Sequence, residues 1–205
     1  MSHRVVITGL GAVMPNGNNP EEYRDSLLAG RSGVGPVTLF DPATLPTRIA
    51  AEVKWPGELT EGTDRKMCFA AEAARQAFAQ AGSSGSAPRG GGRLALGVGL
   101  EIYDIAAWAE TKKPGFEMPQ EHAERMKFVH MPSDLSAHLI SDQYGFDAPP
   151  LVMISTCAAG LDAIGSAFRE VASGRSQWMM AGGTDTGINT MGMTAHCKLG
   201  TMSTR

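Results

Sequence analysis

Short apolar runs alternate along this chain with stretches whose apolar positions recur every three or four residues. Val5-Val6-Ile7-Thr8-Gly9, Leu94-Ala95-Leu96-Gly97-Val98-Gly99, Pro150-Leu151-Val152-Met153-Ile154 and Gln177-Trp178-Met179-Met180-Ala181-Gly182-Gly183 are continuous runs bounded by turn residues. Each predicts a buried strand, and a further strand is placed near Ile49–Val53 within an otherwise irregular, Pro- and Gly-rich stretch over residues 31–60. Asn19 caps a helix with Pro20 in its first turn, carried by Leu27, Leu28 and Ala29 and stopped by Gly30. Thr63-Asp64 opens a second helix through Gln80, with Met67, Ala70, Ala71, Ala74 and Phe78 at helical spacing. Ser133 to Ile140 predicts another, and Cys157 to Ser173 a fourth, striped by Leu161, Ile164, Phe168 and Val171. Residues 104–135 read as an insertion with short helices. Strands apolar throughout, alternating with helices, are the mark of a sheet covered on both faces, so the expected class is α/β in one domain.

Composition narrows the function classes. The chain has 205 residues, 42% hydrophobic and 19% charged, enough for one sizeable core. A net charge of −3 and the absence of a long basic run argue against nucleic acid. No apolar run is long enough to span a bilayer, and Met1-Ser2-His3-Arg4 leads straight into a strand-like segment without the pattern of a signal peptide. Cys68, Cys157 and Cys197 form no C-x-x-C pair and no metal-ligand spacing, which fits a reducing compartment. The expectation is a cytoplasmic protein with no metal, no nucleic acid and no membrane partner.

Cys157 is the strongest candidate for chemistry. It follows an apolar run and precedes a strong helix, in Ile154-Ser155-Thr156-Cys157-Ala158-Ala159-Gly160. A thiol at the positive end of a helix is favoured as thiolate, and small residues beside it let a substrate carbonyl approach closely. The Cys157 backbone N–H then becomes a candidate oxyanion donor. Local chemistry leaves two readings open, a nucleophile or a buried structural cysteine. Cys68, mid-helix between Met67 and Phe69, reads as core, and Cys197 beside His196 as no productive pair. Gly9-Leu10-Gly11-Ala12-Val13-Met14 invites a dinucleotide reading, but that pattern needs a small residue where Met14 stands, and Pro15 interrupts any helix. It reads as a structural turn.

Six motifs then fall in the order of one family. Val5-Val6-Ile7-Thr8-Gly9-Leu10-Gly11, Ser26-Leu27-Leu28-Ala29-Gly30-Arg31-Ser32-Gly33, Asp64-Arg65-Lys66-Met67, Ser155-Thr156-Cys157-Ala158-Ala159-Gly160, Met180-Ala181-Gly182-Gly183 and Met202-Ser203-Thr204-Arg205 resemble the N-terminal half of β-ketoacyl-acyl-carrier-protein synthases, in the thiolase superfamily. Two positions depart from the family pattern, Thr156 where Ala is usual and Ala158 where Ser or Thr is usual. The family's two active-site histidines, its lysine and the glycine-rich loop of its oxyanion hole belong to a second half beyond Arg205. His3, His122, His130, His138 and His196 lack the context of those histidines, and His138 reads as structural.

The resemblance implies a thiolase-like fold, one half of an α-β-α-β-α layered arrangement with a mixed five-stranded sheet between helices. The domain is expected over residues 1–205, with the C-terminal half absent. It implies a decarboxylative Claisen condensation in fatty acid or polyketide synthesis, with Cys157 accepting the acyl chain. No cofactor is bound; phosphopantetheine arrives on the acyl carrier protein. Arg65 and Lys66 match carrier-protein contacts, and Lys198 is a looser candidate against ordinary surface charge. His196 stands where relatives place a phenylalanine beside the acyl pocket, and Leu100 and Phe128 fall near pocket positions, with core packing the equal alternative. Left alone, the Cys157 helix would expose its apolar stripe, so a separate C-terminal half is expected, the pair dimerising again. A chain-length-factor-like or scaffold partner without catalysis is the alternative, and a fragment without independent activity a third.

Overall fold

A computed structural model describes residues 3–55, 57, 65–83, 88, 92–99 and 134–203. In chain order its elements are α1 (Pro20–Leu28), β1 (Gly35–Pro36), β2 (Ile49–Ala50), α2 (Arg65–Gln80), β3 (Gly92–Val98), α3 (Leu135–Tyr144), β4 (Leu151–Met153), α4 (Ala159–Ala172), β5 (Trp178–Thr184) and α5 (Thr190–Lys198). β1 and β2 form a small antiparallel pair. The central sheet runs β4-β3-β5, all parallel, with Ala95 opposite both Leu151 and Ala181.

Both faces of β3 are buried, as its unbroken apolar sequence requires. On one face Leu94, Leu96 and Val98 pack with Ala70, Ala74 and Phe78 of α2 and Ala137, Ile140 and Tyr144 of α3. Phe78 is the hub of that layer, its ring centroid 4.5 Å from that of Tyr144 and 6.1 Å from that of Trp178. Truncating such a side chain costs about 3–5 kcal/mol. On the other face Ala95 meets Ala163 and Ala167 of α4, with Leu151, Met153, Met179 and Ala181 around them. The α/β class with helices on both faces therefore holds.

α4 turns its small residues to the sheet and its large ones outward. Ala163 is fully buried, whereas Leu161, Ile164 and Phe168 are 73%, 51% and 56% exposed. Small residues permit the close seating: a Cβ on Gly183 would lie 3.0 Å from the Cα of Gly160. Asn19 caps α1 as expected, its Oδ1 accepting from the Glu22 N–H at 2.8 Å. Gly30, at φ 65°, takes the left-handed conformation that closes it.

Several expectations are corrected. Val5–Gly9 is not a buried strand: Val6 and Ile7 are 60% and 80% exposed, and the segment pairs with no strand among the described residues. It lies along α2 instead, where the Leu10 and Ala12 N–H groups donate to the side-chain oxygens of Gln80 and Gln76. The layered α/β expectation itself stands: among the described residues three strands of the central sheet are paired, all parallel, beside the antiparallel β1–β2 pair. Leu27 and Leu28 are exposed, so α1 buries no leucine face. The insertion over 104–135 lies almost wholly outside the described residues. No helix among the described residues is long and apolar enough to cross a membrane.

Candidate active site

β4 ends at Met153, and a 3₁₀ turn, Thr156–Ala158, leads directly into α4. Thr156 has φ 57°, and among the described residues it is the non-glycine residue with positive φ. A β-branched residue there carries about 1–2 kcal/mol of strain. Two hydrogen bonds hold the conformation: Thr156 Oγ1 donates to the Ser155 carbonyl at 2.7 Å, and Ser155 Oγ donates to the Asp162 carboxylate in the first turn of α4. The turn swings Cys157 outward, where its side chain is exposed rather than buried.

Cys157 opens onto a cleft of about 280 Å³. Its walls are Gly97, Val98 and Gly99 from the end of β3, Gly183, Thr184 and Asp185 from the end of β5, and Thr156, Ala159 and Gly160 beside the thiol. A crevice beyond the carboxyl ends of parallel strands is where open α/β sheets place ligands. Gly99 lies close against the Asp185 carboxylate, which would have to swing aside to admit a Cβ there. Asp185 in turn accepts from the Thr186 N–H at 2.7 Å.

The remaining candidates separate. Lys66 is fully buried, and its Nζ donates to the Gly99 carbonyl at 2.7 Å, so it is not a surface charge available to a carrier protein. That expectation is corrected: the i, i+4 row Lys66, Ala70, Ala74, Phe78 is the buried face of α2. Arg65 is half-buried, its Nη2 donating to the Val53 carbonyl at 2.9 Å while its guanidinium sits 5.4 Å from the Phe69 ring centre. Its charge also helps hold Glu52 below the usual carboxylate range. Burial, the largest influence there, pushes Glu52 up, but it is outweighed by hydrogen bonds from the Thr38 hydroxyl and the Thr38 and Leu39 N–H groups together with Arg65.

Lys198 is exposed at the end of α5. His196 lies one turn from Gly192, and its Nδ1 carries the proton donated to that carbonyl at 2.8 Å; it is not among the residues lining the cleft. Leu100 and Phe128 lie outside the described residues. His138 is paired with Asp134 at 3.2 Å, which fits its structural reading, and Cys68 and Cys197 are half-buried away from the cleft walls. The sequence reading missed Gly97, Gly99, Thr184 and Asp185. Their signal was the glycine at each strand end, which marks a close backbone approach.

The family model of the β-ketoacyl synthase N-terminal domain matches residues 2–205. The chain is 34% identical to a 3-oxoacyl-[acyl-carrier-protein] synthase 2 of Coxiella burnetii, over 98% of this chain and 50% of that one. It is 32% identical to the tetracenomycin polyketide synthase ketoacyl synthase beta subunit of Streptomyces glaucescens, over 97% of this chain and 50% of the relative. The fold matches that of a type II polyketide synthase ketosynthase solved in complex with its acyl-carrier protein, with a TM-score of 0.83 at 24% identity over all of this chain and 51% of that one. The chain thus spans about half the length of the relatives it matches. On the family match, and with a cysteine exposed in a cleft at the head of α4, the chain belongs to the β-ketoacyl synthase N-terminal domain family.

Proposed function

We propose that Cys157 is the acyl-accepting nucleophile of a β-ketoacyl-acyl-carrier-protein synthase, acting in fatty acid or polyketide synthesis. The observation that carries this reading is the exposed thiol, turned into an open cleft by Thr156 at the N-terminal end of α4. The sulfur attacks the carbonyl of an acyl thioester on phosphopantetheine. A new carbon–sulfur bond forms to Cys157, the old one breaks, and the pantetheine thiol departs with the proton. The Cys157 N–H is the candidate donor to the oxyanion. A malonyl thioester then loses carbon dioxide, its carbanion attacks the acyl-cysteine, and the Cys157 sulfur is released. Two histidines that assist the decarboxylation stand on a complementary half.

That half seats on Leu161, Ile164 and Phe168, whose exposure together leaves an apolar stripe beside the site. The completed pair forms a dimer. Arg65 and Lys198 remain the candidate contacts for an acidic carrier protein, arriving with phosphopantetheine, and His196 the candidate acyl-pocket residue on α5. The site requires no metal and no bound cofactor.

A second reading is a chain-length-factor-like partner, supported by the 32% identity to a ketoacyl synthase beta subunit. Reconstitution with a C-terminal half, an acyl-loaded and a malonyl-loaded carrier protein separates the two. Synthase function yields a β-ketoacyl product extended by two carbons. No product from the assembled pair, with restored synthesis only when a second ketosynthase is added, supports the partner reading.

A further inference from the structure

Lys66 is 0% exposed, a rare position for lysine, and three hydrogen bonds close a ring through it. Its Nζ donates to the Gly99 carbonyl at 2.7 Å, the Gly99 N–H donates to the Thr184 carbonyl at 3.1 Å, and Thr184 Oγ1 donates to the Lys66 carbonyl at 2.8 Å. The ring ties the first turn of α2 to the ends of β3 and β5. Two of its three members, Gly99 and Thr184, are walls of the cleft into which Cys157 opens.

Burying a lysine is costly, and apolar neighbours such as Ala70 and Ala74 fill the same helix face without that cost. Its worth lies in what it fixes. β3 ends at Val98, opposite Thr184, so the Gly99 carbonyl lies past the last ladder position. Glycine leaves that peptide conformationally free. The Lys66 donor sets its orientation, and the Thr184 hydroxyl locks α2 to the same point.

We propose that Lys66 is a positioning residue that fixes the Gly99–Thr184 wall and so limits the size of the group that reaches the Cys157 thiol. This rests on the reading of Cys157 as acyl acceptor, and it recasts Lys66 from a carrier-protein contact to a determinant of acyl selectivity. Removing the amine loosens the wall, whereas the thiol is carried by a different segment, the turn from β4 into α4, that makes none of the three bonds of the ring.

The test uses the purified chain as wild type, Lys66→Met and Lys66→Leu. Alkylation of Cys157 is followed by peptide mass with two reagents sharing one reactive group, iodoacetamide and N-octyl iodoacetamide. The rate with iodoacetamide stays within about twofold of wild type in both variants, while the octyl-to-small rate ratio rises about fivefold or more. Circular dichroism confirms that each variant is folded, and Lys66→Leu decides the matter if Lys66→Met does not fold. A ratio within about twofold of wild type in a folded variant overturns the proposal. A parallel incubation of wild type with an acyl thioester, alone and with a C-terminal ketosynthase half, separates the two claims. Absence of an acyl adduct there refutes the acyl-acceptor reading, whereas the alkylation ratio still reports on Lys66.

Discussion

Gly97 of β3 and Ala159 at the start of α4 pack backbone against backbone, so closely that a Cβ on Gly97 would overlap the Ala159 carbonyl carbon. The contact seats the first turn of α4, and with it Cys157, directly over the sheet. The position of the thiol therefore depends on a glycine of β3.

Gly97→Ala is expected to destabilise the chain by about 1–3 kcal/mol, since the obstacle is backbone and cannot turn aside. The helix start must shift, so alkylation of Cys157 changes as well. Denaturant unfolding and the iodoacetamide rate check both; an unchanged midpoint would show that α4 is not held by this contact.

Thr156 supplies a second prediction. Both Thr156→Gly and Thr156→Val lose the Oγ1 bond to Ser155, costing about 1 kcal/mol, but only glycine also relieves the left-handed strain, so Thr156→Gly is expected to be the more stable of the two. Thermal midpoints of the two variants, measured side by side, give the order.

Acid stability turns on Glu72. Hydrogen bonds from Arg75 hold its carboxyl below the usual glutamate value despite partial burial, with Gln76 and the Arg75 charge adding to the effect. A depressed carboxylate contributes stability above its unfolded value, about 4.3, and loses it as pH falls through the lower folded value. Glu72→Gln is therefore expected to flatten the loss of stability below about pH 4.3 and leave its slope at neutral pH unchanged. Unfolding curves across that range check it, and parallel acid limbs would contradict it. Because Gln76 also bonds the Ala12 N–H and the Asn18 carbonyl, the same window reports on the anchoring of the N-terminal segment.

The outer face of α4 gives a fourth prediction. Replacing Leu161 and Phe168 by Gln removes part of the exposed apolar stripe. The chain alone becomes more soluble and less self-associating, and its association with a C-terminal ketosynthase half weakens by at least about tenfold. Sedimentation velocity reads both. A wild-type chain that is a soluble monomer with no affinity for such a half would count strongly against the proposed assembly.

These residues show what the sequence made legible. β3, β4 and β5 were readable because each contains a continuous apolar run bounded by turn residues. α4 was readable from its stripe, although the stripe faces outward and the alanines between its members face the sheet. Val5–Gly9 has the same β-branched character as a strand, but a strand exists only with a partner, and propensity carries no information about which neighbour is present. Cys157 stood out by its place between a strand and a helix among small residues, which left a nucleophile and a buried cysteine equally open until the family motifs were added. Lys66 was misjudged because its charge was weighed and its place in the i, i+4 row with Ala70, Ala74 and Phe78 was not. The Ser155–Asp162 bond spans seven residues and joins a turn to a helix, so no local pattern announced it.

The central claim is that Cys157 takes an acyl group from a carrier protein. The measurement is intact mass of the chain after incubation with acyl-loaded acyl carrier protein, alone and with a C-terminal ketosynthase half, followed by peptide mapping. The account predicts a mass increase of one acyl group on Cys157, absent in Cys157→Ala and retained when Cys68 and Cys197 are replaced. No adduct under any partner condition, or an adduct that persists in Cys157→Ala, would contradict it.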